Sequence, residues 1–235
     1  MALEKRLRAL LTIFSRGVDV DQFDPRFRQP RERFTVLYVG RVSVEKNLDL
    51  LVRLLRHRTD VDLVIVGDGP YRDELRKRLP HARLPGFLSG KELSRAYASA
   101  DVFLFPPKTD TFGNVVLEAM SSGVPAIVTD QMGPKEIIRH GETGFVAASE
   151  WEFRQGFDAL VDRPTLRRTM GRKAREYALT RSWNAVFEEL CRQYSETIVS
   201  ARLTSDLPFD SASTKSTTRE AHESSLSEVT TASSH

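Results

Sequence analysis

Four side chains and one helix start carry the chemistry legible in this sequence. Arg41 and Lys46 follow the apolar run Phe34-Thr35-Val36-Leu37-Tyr38-Val39 and the glycine Gly40. Two cations at the end of a strand, close to a helix start, suit a diphosphate, whose oxygens accept charge-assisted hydrogen bonds. Read on their own, an arginine and a lysine there are more simply a solvated basic turn. Further along, Phe105-Pro106-Pro107-Lys108-Thr109-Asp110-Thr111-Phe112-Gly113-Asn114-Val115 leads from a strand into a helix expected to begin near Phe112 or Gly113. A glycine there lets the first, unpaired backbone N–H groups approach an anion. Asp110 sits in that loop and Glu118 on the helix, with seven residues between them. Carboxylates accept hydrogen bonds from a diol, so the pair could hold hydroxyls flanking a phosphate. The alternatives are a helix cap for Asp110 or Thr111 and a core-edge carboxylate for Glu118. Lys108 reads as a solvated charge, and Gly133-Pro134-Lys135-Glu136 as either a helix cap or a further ligand loop.

The elements that must position these groups alternate. Apolar runs at 34–39, Asp62–Val66, Asp101–Phe105 and Pro125–Thr129 predict strands, and amphipathic stretches over Glu45–His57, Tyr71–Leu79, Lys91–Ser99 and Val115–Ser121 predict helices. The strands are almost wholly apolar, as in a parallel sheet covered on both faces. After Gly144-Phe145-Val146 the pattern is helical to about Ser200, with Pro164 near one helix start and Arg181-Ser182-Trp183 opening the last. This predicts an α/β fold: a doubly wound parallel sheet with terminal helices, and ligands beyond the carboxyl ends of the strands. Gly67-Asp68-Gly69-Pro70 opens like a dinucleotide fingerprint, but Arg72 stands where its third glycine belongs and the turn follows the wrong strand. Dehydrogenase chemistry is therefore set aside, and Pro70 is expected to start a helix. Trp151 and Trp183 are expected to anchor terminal helices by packing, and His57, His81, His140, His222 and His235 to lie on the surface.

Composition narrows the class. The chain has 235 residues, 35 Lys plus Arg against 32 Asp plus Glu, and 40% apolar residues. Residues 203–235 hold five acids, two bases and 15 Ser or Thr, so the rest of the chain carries the basic excess, which suits a phosphate-bearing ligand. That tail has too little apolar surface to offset its ordering entropy and is expected to be disordered. A single cysteine, Cys191, excludes an intramolecular disulfide and a cysteine metal cluster, which fits a reducing compartment. No apolar run approaches the ~20 residues of a bilayer span. The run Ala9-Leu10-Leu11-Thr12-Ile13-Phe14 is read as a strand rather than a leader. No aromatic and basic interleaving points to nucleic acid.

The residues resemble a known family: the nucleotide-sugar-dependent retaining glycosyltransferases of the GT-B fold, family 4, also called glycosyl transferases group 1. The resemblance is carried by Gly40-Arg41 with Glu45-Lys46-Asn47, Val66-Gly67-Asp68-Gly69-Pro70, Ala98-Ser99-Ala100-Asp101-Val102, the pair Asp110 and Glu118, and Gly141-Glu142-Thr143-Gly144. It implies a Rossmann-like, C-terminal donor-binding half of a GT-B fold, and roles for single residues. Arg41 and Lys46 would be catalytic, holding the donor diphosphate and stabilising the departing nucleotide with no metal and no cofactor. Gly40 and Phe112 would line the donor site, the amides of Gly113, Asn114 and Val115 would meet the phosphates, and Glu118 would bind the ribose. Asp110, also catalytic, stands where the family usually has a glutamate for the donor sugar, one methylene shorter. Pro85 and Pro107-Lys108 also depart from the usual pattern.

The domains then read as residues 1–33, a hinge and the end of an absent N-terminal domain; 34–202, the donor domain; and 203–235, the tail. The function implied is hexosyl transfer from a UDP- or GDP-sugar to a carbohydrate or lipid acceptor, needing an N-terminal acceptor domain absent from this chain, supplied either by a further half of the same protein or by a partner chain. The alternative is a non-catalytic nucleotide-sugar binding module or one subunit of a split transferase. The implied location is cytoplasmic or peripheral at a membrane.

Overall fold

The structure, a computed structural model, describes residues 16–109, 112–131 and 133–205, without the side chains of 197 and 199–205. The run Ala9–Phe14, Asp110, Thr111 and the tail from 206 lie outside the described residues. The chain divides into two units, one of residues 13–190 and a second that includes 191–205.

In the first unit six strands form one parallel sheet: β1 (Phe34–Val39), β2 (Val61–Val66), β3 (Arg83–Gly86), β4 (Val102–Phe105), β5 (Ala126–Thr129) and β6 (Gly144–Ala147), in spatial order β3-β2-β1-β4-β5-β6. Between them lie α1 (Asp49–Leu55), α2 (Arg72–Arg78), α3 (Gly90–Ala98), α4 (Asn114–Ser121) and the short α5 (Pro134–Ile137). Then follow α6 (Glu150–Asp162), α7 (Pro164–Leu179) and α8 (Trp183–Ser205), whose C-terminal part forms the described portion of the second unit and carries an Arg192–Glu196 pair at 2.5 Å. The strand order reverses between β1 and β4, as in a doubly wound sheet. The core is continuous and aromatic at its centre: Tyr38, Tyr97, Phe103 and Phe105 are sealed, Phe103 stacking on Phe105 at 6.0 Å. Each such side chain contributes about 1.5–3 kcal/mol of burial free energy.

Several expectations need correction. The expected helix from Glu45 is a 3-10 turn, Val44–Lys46, followed by Asn47 at φ 53° and then α1, because a left-handed residue interrupts the helical hydrogen bonds. Pro70 precedes rather than starts α2. Strand β3 was not foreseen: Arg83-Leu84-Pro85-Gly86 has turn composition, yet an edge strand needs partners on one side only and tolerates proline. Arg72, the residue that spoiled the glycine fingerprint, donates to the Leu84 carbonyl at 3.1 Å and so braces β3. Trp151 is two-thirds exposed rather than packed as expected, whereas Trp183 closes over Gly17, where any Cβ would meet its indole. The last helix extends to Ser205, past the expected start of the tail.

The segment before β1 is riveted to the domain by partly buried polar groups. Arg175 of α7 donates to the carbonyls of Phe23 (2.9 Å) and Ser121 (2.6 Å) and pairs with Asp24 at 2.7 Å. Asp101 accepts from the Thr35 amide at 2.9 Å and from Arg28 at 2.9 Å, and Ser99 accepts from the Gln29 amide at 3.0 Å. The segment Ala98–Val102 thus fastens β1 and the segment before it.

The turns after β1 and β2 are zipped together. The Gly40 amide donates to Val66 O (3.0 Å), the Val42 amide to Asp68 O (2.9 Å) and the Tyr71 amide to Val42 O (3.0 Å). A Cβ on Gly67 would overlap the Gly40 carbonyl, and one on Gly69 the Val42 carbonyl, at backbone angles (φ 125° and 155°) that favour glycine. These glycines serve backbone packing.

Two stability effects follow. Arg175→Ala leaves several buried carbonyls and Asp24 without their donor and should lower stability by about 2–4 kcal/mol in urea unfolding; a change below 0.5 kcal/mol would contradict the rivet. Gly67→Ala should cost at least about 2 kcal/mol, more than Gly90→Ala, where an added Cβ meets nothing within 4 Å; equal costs would contradict the zipper.

Candidate functional site

The crevice at the reversal of strand order is bounded by the turns after β1 and β4. The first turn is built from the bottom up by burial. Tyr38 is sealed, and its hydroxyl donates to the Arg41 carbonyl at 3.0 Å, while Val42 is fully buried. Flanked by these anchors, the Arg41 side chain projects into solvent, about two-thirds exposed, with Glu45 beside it at 4.0 Å as an exposed counter-ion. Lys46 is half-buried, on the 3-10 turn.

Asn47 then joins the two sides. Its Nδ2 donates to the Pro106 carbonyl at 3.0 Å, bolting the β1 turn to the β4 loop across the crevice. From the other side the Thr129 hydroxyl donates to the Pro107 carbonyl at 2.6 Å. Pro106 and Pro107 are buried between these bonds, whereas Lys108 is exposed as expected.

The loop ends at Gly113, which caps α4 in the left-handed conformation at φ 64°, its carbonyl accepting from the Val116 amide at 2.8 Å. Neither Asp110 nor Thr111 is the residue next to the helix, so the cap reading for them gives way to Gly113. Gly113 also packs against Pro134 and Ile137 of α5, where a Cβ would be crowded at 3.1 Å. The helix therefore begins at Asn114, with Asn114 exposed and Val115 half-buried at its first turn.

Glu118 sits one turn further, half-buried. Its Oε2 accepts from the Tyr97 hydroxyl at 2.7 Å, and among the described residues Oε1 has no such partner. Burial raises the Glu118 carboxyl above its usual range, and the Tyr97 hydrogen bond opposes this only in part. Burial likewise pushes the Tyr97 hydroxyl well up, so it remains a donor. A carboxylate held at a cost, fixed on one oxygen with the other open, is suited to accept hydrogen bonds from a polyol.

Sequence reasoning missed Arg16. Its guanidinium lies over the exposed Phe112 ring at 3.9 Å, bringing a third cation beside the start of α4. Nothing local in the sequence signals a partner so distant along the chain. It also missed Asn47 and Tyr97 as fasteners. Gly133-Pro134-Lys135-Glu136 is the start of α5, Lys135 pairing with Asp130 at 2.9 Å and Glu136 exposed. Thr143 is a turn fastener, accepting from the Arg139 amide at 2.9 Å. Asp110 lies outside the described residues. Among the described residues no group of three or more His, Cys, Asp or Glu could hold a metal ion, and no helix is long and apolar enough to cross a membrane.

Comparison with known proteins shows the family. The profile of the family described as glycosyl transferases group 1 matches residues 19–177. A sulfoquinovosyl transferase of Arabidopsis thaliana is 37% identical over 213 residues, covering 80% of this chain and 40% of its own. A GDP-mannose-dependent alpha-mannosyltransferase of Mycolicibacterium smegmatis is 38% identical over 194 residues, covering 77% and 50%. The C-terminal domain of a glycosyl transferase group 1 family protein from Francisella tularensis superposes with a TM-score of 0.58 at 22% identity, over 70% of this chain and 97% of that one, a likeness of fold. The chain thus spans about half the length, or less, of these two curated relatives. With the profile covering the whole sheet and both turns of the crevice, the chain belongs to the glycosyl transferases group 1 family.

Proposed function

We propose that this chain is the donor-binding part of a retaining hexosyltransferase that uses a UDP- or GDP-sugar. The observation that carries the reading is the Asn47 bolt: it locks the turn bearing Arg41 and Lys46 to the loop that opens into α4 and Glu118, which supports a crevice served by two cations, the amides of a helix start and a polyol-accepting carboxylate. The M. smegmatis relative is named for GDP-mannose, which is consistent with a nucleotide-sugar donor.

Arg41 and Lys46 hold the diphosphate, and the amides of Gly113, Asn114 and Val115 meet its oxygens next to Gly40 and Phe112. As the bond from the anomeric carbon to the diphosphate breaks, negative charge grows on the leaving oxygen; two fixed cations stabilise it without a divalent metal or cofactor. The acceptor hydroxyl bonds to the anomeric carbon on the face the diphosphate leaves, and the departing oxygen takes its proton. Little side-chain base is needed, but an aligned acceptor is. Asp110 orients the donor sugar through its hydroxyls, and Glu118 holds the ribose. The acceptor, a carbohydrate or lipid, is presented by a separate acceptor domain or partner chain, at a cytoplasmic location or a membrane surface.

Arg41→Ala and Lys46→Ala should each weaken binding of the preferred nucleoside diphosphate by about 1.5–3 kcal/mol in calorimetry; unchanged affinity in both would sink the assignment. Glu118 gives a second test with a definite sign. Because burial raises its carboxyl, the folded state binds the proton more tightly than the unfolded one, so this group's contribution to stability falls as pH rises through the raised value. Glu118→Gln should therefore hold or raise the melting temperature at pH 7 and flatten its decline above the usual carboxylate range, while weakening nucleotide binding but not that of inorganic pyrophosphate. A melting temperature lowered at every pH, with nucleotide affinity intact, would make Glu118 a structural residue instead.

A further inference from the structure

A second cavity, of about 290 Å³, lies on the sheet face away from the crevice. It exists because of the winding. Along β2 the side chains of Leu63 and Ile65 are sealed, whereas Val64, on the opposite face, is only half-buried. Next to Val64 the cavity is bordered by α3 and by the segment before β1, which the Gln29 amide pins to Ser99 at 3.0 Å. Val64, Pro85, Leu88 and Ala96 make an apolar floor.

The wall is cationic. Arg31 comes from the segment before β1, Arg83 from the edge strand β3 and Arg95 from α3, with Glu92 one helical turn away as the single acid of the lining. Arg83 has its nearest acid, Asp62, at 3.9 Å, too far for a hydrogen bond. Among the described residues no ion pair engages Arg31 or Arg95, and none of the lining residues belongs to the crevice between the β1 and β4 turns. Three exposed guanidiniums from three elements border one apolar floor with two acids, Glu92 and Asp62, among them, so positive charge exceeds negative at the mouth of the cavity. Guanidinium forks match the oxygens of a phosphate in paired hydrogen bonds. The volume sits at the lower end for ligand pockets, enough for one ring with its substituent and too small for a dinucleotide.

We propose that the Arg31–Arg83–Arg95 cavity is a second ligand site, for a small phosphate monoester with a compact body, separate from the donor crevice. The phosphate meets the arginines and the body lies on Val64 and Leu88. Such a group could be a free sugar phosphate or the headgroup of an anionic lipid, and the two are separable. The inference does not rest on the proposed transferase reaction.

The test titrates the full chain with glucose 6-phosphate and with inorganic phosphate, followed by thermal shift and calorimetry, and measures co-sedimentation with phosphatidylcholine vesicles with and without phosphatidic acid. Saturable binding of glucose 6-phosphate, tighter than inorganic phosphate, is expected, falling about tenfold or more in Arg31→Ala/Arg95→Ala. It should weaken with added salt and persist in Arg41→Ala/Lys46→Ala. Because the paired alanine variant could unfold, Arg31→Gln/Arg95→Gln, which keeps side-chain bulk, is measured alongside. Binding of acidic vesicles alone, with the same arginine dependence, supports the site and makes its ligand a lipid headgroup. No binding of any probe, binding that survives both arginine pairs, or binding lost in Arg41→Ala/Lys46→Ala overturns the inference, the last because the phosphate would then occupy the crevice.

Discussion

Everything in the crevice depends on two backbones lying closer together than side chains allow. Gly67 and Gly69 let the turn after β2 press against Gly40 and Val42 of the turn after β1, and three hydrogen bonds donated by backbone amides hold it there. With its floor fixed, the β1 turn can carry an exposed arginine and a half-buried lysine on a rigid base rather than a flexible loop. Asn47 spends a left-handed backbone conformation to reach Pro106, which transfers that rigidity to the β4 loop and so to the start of α4. The preorganisation costs conformational freedom at folding, where burial of the strands offsets it, so it need not be supplied when a ligand binds.

The polar interior divides in the same way. Arg175, Asp101 and Ser99 satisfy backbone groups around the segment before β1, and their bonds are complete. Glu118 differs: one oxygen is fastened by Tyr97, and burial works against its charge. A group that lowers stability in the free protein and is only half used there is where a structural explanation runs short and a ligand explains more.

Most of the fold was legible because it is written in local pattern. Strands β1, β2, β4 and β5 are apolar runs, α3 and α4 fall within a residue or so of their expected limits, and the parallel sheet follows from that alternation. Strand β3 was not legible, since an edge strand made of Arg, Leu, Pro and Gly is stabilised by Val64, Val66 and Arg72 rather than by its own residues. In the candidate site, Arg41, Lys46, Gly113 and Glu118 were proposed from type and position relative to strand ends. Asn47, Tyr97 and Arg16 were not, because their roles are contacts with Pro106, Glu118 and Phe112 across the fold. Two motifs that carry the family resemblance, Gly67-Asp68-Gly69 and Ala98–Val102, serve to hold the backbone, the first by close approach of two turns and the second through the Asp101 carboxylate on the Thr35 amide. Family resemblance and ligand contact are thus different signals: a conformation that only one residue type can adopt marks a family as strongly as a reacting group does.

The most direct measurement of the central claim is calorimetric titration of the full chain with UDP, GDP and ADP in the presence of a chelator. The account predicts that UDP or GDP binds at one site per chain, with affinity independent of divalent metal and declining with salt as expected for fixed cations meeting a diphosphate. Absence of binding by all three, or binding that requires a divalent metal, would contradict it.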